Sequence, residues 1–206
     1  HDVNQFCVVD MSSFYLDIIK DRLYTEKADS VARRAAQTTM YYILDALVKI
    51  LTPMISFTAE EIWSAMNHTE KENVESPMLA DYPVSNDEWD NKEIAEKWEK
   101  IIKVKNIVAK DLELARAEKT IGNSLDAKVT IYAEGEEYKF LKENEELIKL
   151  VLIVSGLEIQ ENNRKQEEKL GVKVEHTTGE KCERCWMYND HLEDGLCPRC
   201  KEVLEK

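Results

Sequence analysis

Lys181-Cys182-Glu183-Arg184-Cys185-Trp186 and Leu196-Cys197-Pro198-Arg199-Cys200 carry two C-x2-C pairs separated by eleven residues. Two thiolates three positions apart on a tight knuckle present both sulfurs to one point, and two knuckles complete a tetrahedron around a metal ion. Gly195, just before the second pair, supplies the backbone freedom that such a loop needs. Residues 176–206 are poor in large apolar side chains, so they cannot hold a core unaided and need a staple. Four thiolates close the coordination shell, so the spacing predicts one structural Zn²⁺ held by Cys182, Cys185, Cys197 and Cys200. Two disulfides are the first alternative, disfavoured because no charged-then-apolar leader argues for secretion. A four-thiolate iron centre is the second, disfavoured because nothing else points to redox chemistry. His176 and His191 flank the knuckles as substitute ligands. Cys7, alone between Phe6 and Val8, reads as a small buried hydrophobe.

The chain around this motif has 206 residues, 43% hydrophobic and 33% charged, enough to bury a real core. Six glycines and four prolines exclude collagen-like and low-complexity architectures. No apolar run approaches the roughly 20 residues of a membrane span, and Leu150–Val154 reads as a buried strand. With 28 basic and 41 acidic side chains the formal charge is −13, which disfavours indiscriminate binding to a phosphate backbone. The charge is uneven: residues 97–119 hold seven basic and four acidic side chains. A nucleic-acid contact would therefore be a local basic patch on an acidic body.

Upstream the periodicity is helical. Phe14, Tyr15, Ile18, Ile19 and Leu23 predict a helix over 10–24, with Asp17, Lys20, Asp21 and Arg22 facing outward. Ser30 caps a second helix that runs to Leu51, ended by Pro53. Thr58-Ala59-Glu60-Glu61 has the form of a capping box opening a third helix over 59–66. Residues 67–89, broken by Pro77 and Pro83, read as a connector. From Asp90 a long helix carries Ile94, Trp98, Ile101, Val108, Leu112 and Ala115 on one face, interrupted by Lys105. After Gly122 the period changes. Ala127–Ala133 alternates as a strand, 136–149 returns to helix, and Leu157–Ile159 and Val172–Val174 read as further strands. The fold class expected is mainly α: a helical bundle over 1–119, a small α+β module over 120–175 and a cysteine-clasped ribbon over 176–206.

Lys181, Arg184, Arg199 and Lys201 surround the sulfurs, with Trp186 and Tyr188 after the first knuckle. Arginine forks match phosphate and base edges, and an exposed aromatic stacks on an unpaired base. Trp186 could equally serve as a cover for the metal, and the arginines could donate to sulfur.

Phe14–Tyr24 resembles the opening helix of the anticodon-binding domain of class I aminoacyl-tRNA synthetases for isoleucine, valine and leucine. Leu51-Thr52-Pro53-Met54 with Phe57-Thr58-Ala59-Glu60-Glu61-Ile62-Trp63 resembles the second signature of that domain, with Ser56 where proline is common. Arg116–Ala127 and the closing cysteine finger are similar to the bacterial isoleucyl branch. The resemblance implies the tRNA-binding, C-terminal part of a ligase that joins isoleucine to its tRNA with ATP. The partners it implies are the anticodon arm of isoleucine tRNA and the rest of the parent enzyme, acting as a cytoplasmic monomer with no membrane. The nucleotide-binding signatures of class I catalytic domains are not found here, so no catalytic residue is expected, and ATP belongs to the parent's other domain. Phosphate contacts are expected from Lys20, Arg22, Arg33 and Arg34, and secondarily from Lys100, Lys103 and Lys110. At the knuckles the expected tRNA contacts are Arg184, Trp186 and Arg199. The rival readings are a zinc ribbon that grips duplex DNA, as in some repair glycosylases, and a protein-interaction scaffold.

Overall fold

The computed structural model describes residues 1–70, 73–162 and 170–205. Among the described residues the chain is mainly helical, with one small sheet and a two-stranded hairpin. It divides into two compact units: His1–Thr25 with Lys92–Lys206, and Glu26–Asn91. Among the described residues no helix is long and apolar enough to cross a membrane.

In the first unit the opening stretch is helical from Asp2, ahead of the expected Asp10. It continues as a π-helix over Phe6–Tyr15, then as α-helix over Leu16–Ile18 and Lys20–Thr25. Two serines support the wider turn, Ser12 Oγ donating to the Cys7 carbonyl and Ser13 Oγ to that of Val8, both five residues back at 2.8 Å. Ile18 and Ile19 are buried as the stripe predicts. Cys7 is only half-buried, between Phe6 and the exposed Val8, so it does not enter the core.

The long helix spans Lys92–Ala117, starting after the expected Asp90. Ile101, Val104, Val108, Leu112 and Ala115 are its buried face, whereas Ile94 is exposed. Lys105 sits on the edge of that face with its Nζ 5.0 Å above the Phe14 ring, so a cation–π contact absorbs the interruption. Phe14 also meets Trp98 edge-on, with centroids 6.1 Å apart.

β1 (Ala127–Ala133) is the central strand of a three-stranded sheet ordered β2–β1–β3. It is parallel to β2 (Gly156–Glu161) and antiparallel to β3 (Gly171–His176). Val129 and Ile131 are fully buried, as the alternation requires. The parallel crossover runs through two helices, Gly135–Glu143 and Glu145–Leu152. Leu150–Val154 is therefore no strand. Ile148, Val151 and Leu152 lie buried at helical spacing, and the helix ends on Ile153 in the left-handed conformation at φ 54°.

In the second unit Ser30 caps the helix Val31–Leu51 as expected, its hydroxyl accepting from the Arg33 N–H. The next helix begins at Ser56, not Ala59. The Ala59 N–H is already bonded to the Ile55 carbonyl, so Thr58 lies inside the first turn and no capping box forms there. Trp63 and Ala59 pack against Val48, and Trp63 Nε1 donates to the Val74 carbonyl at 3.0 Å.

A capping box does form at Asn123–Asp126, just before β1. The nearly buried Asp126 carboxylate accepts from the backbone N–H of Gly122 at 3.0 Å and of Asn123 at 2.9 Å. Burial opposes its charge, but those two N–H groups, with the Tyr188 hydroxyl, hold its carboxyl below the usual range. A depressed folded value means its stabilisation is complete above the unfolded carboxylate pKa and is lost as pH falls through the folded one. Asp126→Asn is expected to cost about 2 kcal/mol in urea unfolding at neutral pH. The gap from wild type should narrow below about pH 4.

Candidate metal centre and aromatic cleft

Both cysteine pairs are set by backbone geometry. β4 (Glu180–Lys181) pairs with β5 (Tyr188–Asn189), and the first knuckle is the turn between them. Its bonds are Cys182 N–H to the Met187 carbonyl at 3.0 Å and Trp186 N–H to the Cys182 carbonyl at 2.9 Å. The Glu183 N–H reaches the Gly195 carbonyl at 3.0 Å, joining the two knuckles. The second knuckle opens the helix Pro198–Leu204, with proline in the first turn. Gly179 (φ 91°) starts the hairpin, and a Cβ there would stand 2.5 Å from the Asn189 carbonyl oxygen.

The Sγ atoms of Cys182, Cys185, Cys197 and Cys200 all lie within 4.8 Å of one another, and all four are free thiols. The set could hold a metal ion. Leu192 and Leu196 pack around it. His176 instead places Nδ1 2.8 Å from the Thr177 carbonyl and meets the Tyr188 ring edge-on, and His191 is exposed. Neither histidine joins the cluster.

The sulfurs are electrically unequal. Burial works against the Cys182 thiolate, yet N–H groups of Cys185, Cys197 and Arg184 bring its pKa down to about 6. Burial pushes the Cys185 thiol up to about 12, and it raises Cys200 as well. Four thiolates at this separation repel one another, and a divalent cation among them removes the conflict.

Both arginines predicted at the knuckles turn inward. Arg184 Nη1 donates to the Thr25 carbonyl at 2.7 Å, and Arg199 forks onto the Asp21 carboxylate at 2.5 and 2.7 Å. Each also acts electrostatically on a sulfur: Arg184 favours the Cys200 thiolate, and Cys185 in turn favours the charged form of Arg199. The finger is further stapled to the sheet through Ser155, whose Oγ accepts from the Tyr188 N–H and donates to the Leu125 carbonyl.

Trp186 points outward. It is 61% exposed and held at φ 64°, a left-handed conformation that disfavours every residue but glycine and, to a lesser degree, asparagine and aspartate. Lys181 Nζ lies 5.9 Å over its ring. Trp186 and Tyr24, itself 76% exposed, both line a mostly apolar cavity of about 410 Å³, with Lys20, Leu150, Ile153 and Met187 among its other walls. Tyr24 was not singled out from the sequence, although it closes the helix that carries Lys20 and Arg22. Asp21 is not outward-facing as the helical stripe predicts, because the Arg199 fork half-buries it.

The other predicted contacts are dispersed. Lys20 is exposed and pairs with Asp17 at 2.7 Å. Arg22 lines a separate cavity with Phe14 and Trp98. In the other compact unit Arg33 donates to the Glu26 carbonyl at 3.0 Å and Arg34 to Gln37 at 3.1 Å. Lys100 sits over the Phe140 ring, while Lys103 and Lys110 are exposed.

The chain thus combines helices with a cysteine-clasped finger and an exposed aromatic cleft, and sequence comparison shows its family. Residues 1–131 match the family described as the anticodon-binding domain of tRNA ligase, and the chain belongs to that family. It is 48% identical to the isoleucine–tRNA ligase of Caldanaerobacter subterraneus subsp. tengcongensis and 49% identical to that of Caldicellulosiruptor saccharolyticus. It is 46% identical to that of Carboxydothermus hydrogenoformans. Each match covers 100% of this chain, which spans 23%, 22% and 23% of those relatives.

Gly179→Ala is expected to weaken metal binding by the finger, because the new methyl drives the hairpin apart at the Asn189 carbonyl. Chelator competition should show a loss of roughly tenfold or more, in line with about 1–3 kcal/mol for an imposed backbone conflict. The sheet around β1 should keep its protection in hydrogen exchange.

Proposed function

We propose that this chain is the tRNA-binding, C-terminal portion of an isoleucine–tRNA ligase, which grips the anticodon arm of isoleucine tRNA. In chain order it comprises a helical anticodon-binding region (1–119), an α+β junction (120–175) and a zinc finger (176–206). The parent joins isoleucine to its tRNA with ATP in a domain outside this chain, working as a cytoplasmic monomer.

The resident ion is one structural Zn²⁺ bound by Cys182, Cys185, Cys197 and Cys200. A tetrahedron with Zn–S of about 2.3 Å has edges of about 3.8 Å. The Cys185 and Cys197 sulfurs are 3.8 Å apart. Four thiolates outweigh a divalent cation by two charges, and the neighbouring Arg184 and Arg199 guanidinium groups offset that excess. When bound, the ion supplies folding energy to the finger, and with its shell closed it does no chemistry on substrate.

The observation that carries the RNA reading is Trp186: a bulky, exposed ring kept in a strained backbone conformation beside an apolar cavity. Residues held in such conformations cluster at functional sites. A nucleobase freed from its stack finds the Trp186 and Tyr24 rings to lie against, and Lys20 meets the phosphate beside it. Arg184 and Arg199 contribute their remaining N–H groups, and Arg22, Arg33 and Arg34 are phosphate contacts elsewhere along the arm.

Filter binding with the isoleucine anticodon stem-loop, against duplex DNA of equal length, tests the reading. Preference for the stem-loop supports it, preference for duplex supports a DNA-binding ribbon, and binding of neither supports a protein-interaction scaffold. Trp186→Gly sharpens the test. Relief of the left-handed strain should leave metal binding and thermal stability equal to or above wild type, while stem-loop affinity falls roughly tenfold or more.

A further inference from the structure

A distant arginine and a neighbouring threonine meet on one carboxylate. Arg199 Nη1 and Nη2 fork onto the two Asp21 oxygens, and Thr25 Oγ1 donates to Oδ1 at 2.8 Å. One turn further on, the carbonyl of the buried Thr25 accepts Arg184 Nη1. Arg184 lies on the first knuckle and Arg199 on the second, so each knuckle is tied once to the same helical turn. A planar guanidinium fork fixes distance and angle together, which a single-point lysine contact does not. Thr25 is itself anchored, its hydroxyl also donating to the Asp21 carbonyl at 2.8 Å. Trp186 follows Cys185 directly, and Tyr24 lies between Asp21 and Thr25 and their two ties. The placement of the two rings around the cavity is therefore set by these contacts.

We infer that Asp21 is a positioning residue: through Arg199, and with Thr25 through Arg184, it locks both knuckles onto the turn at 20–25 and so holds Trp186 and Tyr24 as one RNA-facing surface. The inference rests on the tRNA-binding reading above and adds to it a residue that touches no RNA. Charge alone argues the opposite way. A carboxylate beside a phosphate path repels RNA, so removing it would tighten binding if Asp21 did nothing else. The sign of the effect therefore separates the two possibilities.

The test uses the metal-loaded chain and the isoleucine anticodon stem-loop, with Kd measured for wild type, Asp21→Asn, Trp186→Ala and the double variant. Asp21→Asn should retain its metal and weaken binding by about tenfold, within the range of coupling between residues of one hydrogen-bonded network. In the Trp186→Ala background the same change should add nothing, since the ring it positions is gone. Exchanging the pair, Asp21→Arg with Arg199→Asp, should recover most of the loss. Binding by Asp21→Asn that equals or exceeds wild type overturns the inference, as does full additivity with Trp186→Ala. If Asp21→Asn loses its metal, the exchanged pair decides. Recovery of metal and RNA binding together supports positioning, and recovery of metal without RNA binding overturns it. Failure of wild type itself to bind the stem-loop overturns the functional reading as a whole, and that outcome is distinct from an Asp21→Asn variant that matches a binding-competent wild type.

Discussion

Four cysteine sulfurs gathered within 4.8 Å impose the constraint on which the finger depends. Neutral thiols gain little from such crowding, and four thiolates in that space repel one another. A cation at the centre turns repulsion into attraction and makes metal binding and local folding one event. The hydrophobic alternative is not open to this segment, because among the described residues only Leu192 and Leu196 pack on the cluster beside the cysteines themselves. Backbone geometry then converts a bonded centre into a defined shape. The β4–β5 hairpin, the Glu183–Gly195 bond and the short helix after Cys197 leave the side chain that follows the first knuckle, Trp186, nowhere to go but outward.

The rest of this compact unit gives the finger something rigid to be measured against. A buried central strand, a helical crossover and the Asn123–Asp126 capping box bring Tyr188 and Ser155 together, which staples one side of the finger. The turn at 20–25 staples the other side through two arginines. Arginine is suited to this duty, because its guanidinium offers five donors that reach a carbonyl or carboxylate while its fixed charge favours thiolates nearby. These arginines are consequently tethers first, and the exposed aromatic rings are the groups free to meet a ligand.

Features written in short-range spacing were legible in the sequence. The C-x2-C pairs, the alternation of Ala127–Ala133, the Ser30 cap and the stripe from Ile101 to Ala115 all reappear as structure. Readings failed where local pattern underdetermines the outcome. Leu150–Val154 is a five-residue apolar run, equally at home in a strand or on the buried face of a helix, and the crossover chose helix. Thr58 has the right neighbours for a cap, but the chain had already turned helical at Ser56. Asp21 was read as solvent-facing because its partner Arg199 lies 178 residues away, a pairing that no window along the chain can display. Tyr24 was missed for the same reason. Its importance comes from the finger residues that share its cavity.

On the proposed reading, a metal-dependent shape fixed to one helical turn and displaying an aromatic surface would link the cysteine centre to the handling of an anticodon arm. The most direct measurement is stem-loop affinity of the same preparation before exhaustive chelation, after it, and after Zn²⁺ is returned, with tail NMR signals followed in parallel. Loss of finger signals together with binding, both restored by stoichiometric Zn²⁺ while the signals of the helices and sheet persist, is the predicted result. Undiminished binding by chain proven free of metal, or finger signals unchanged by its removal, would contradict it.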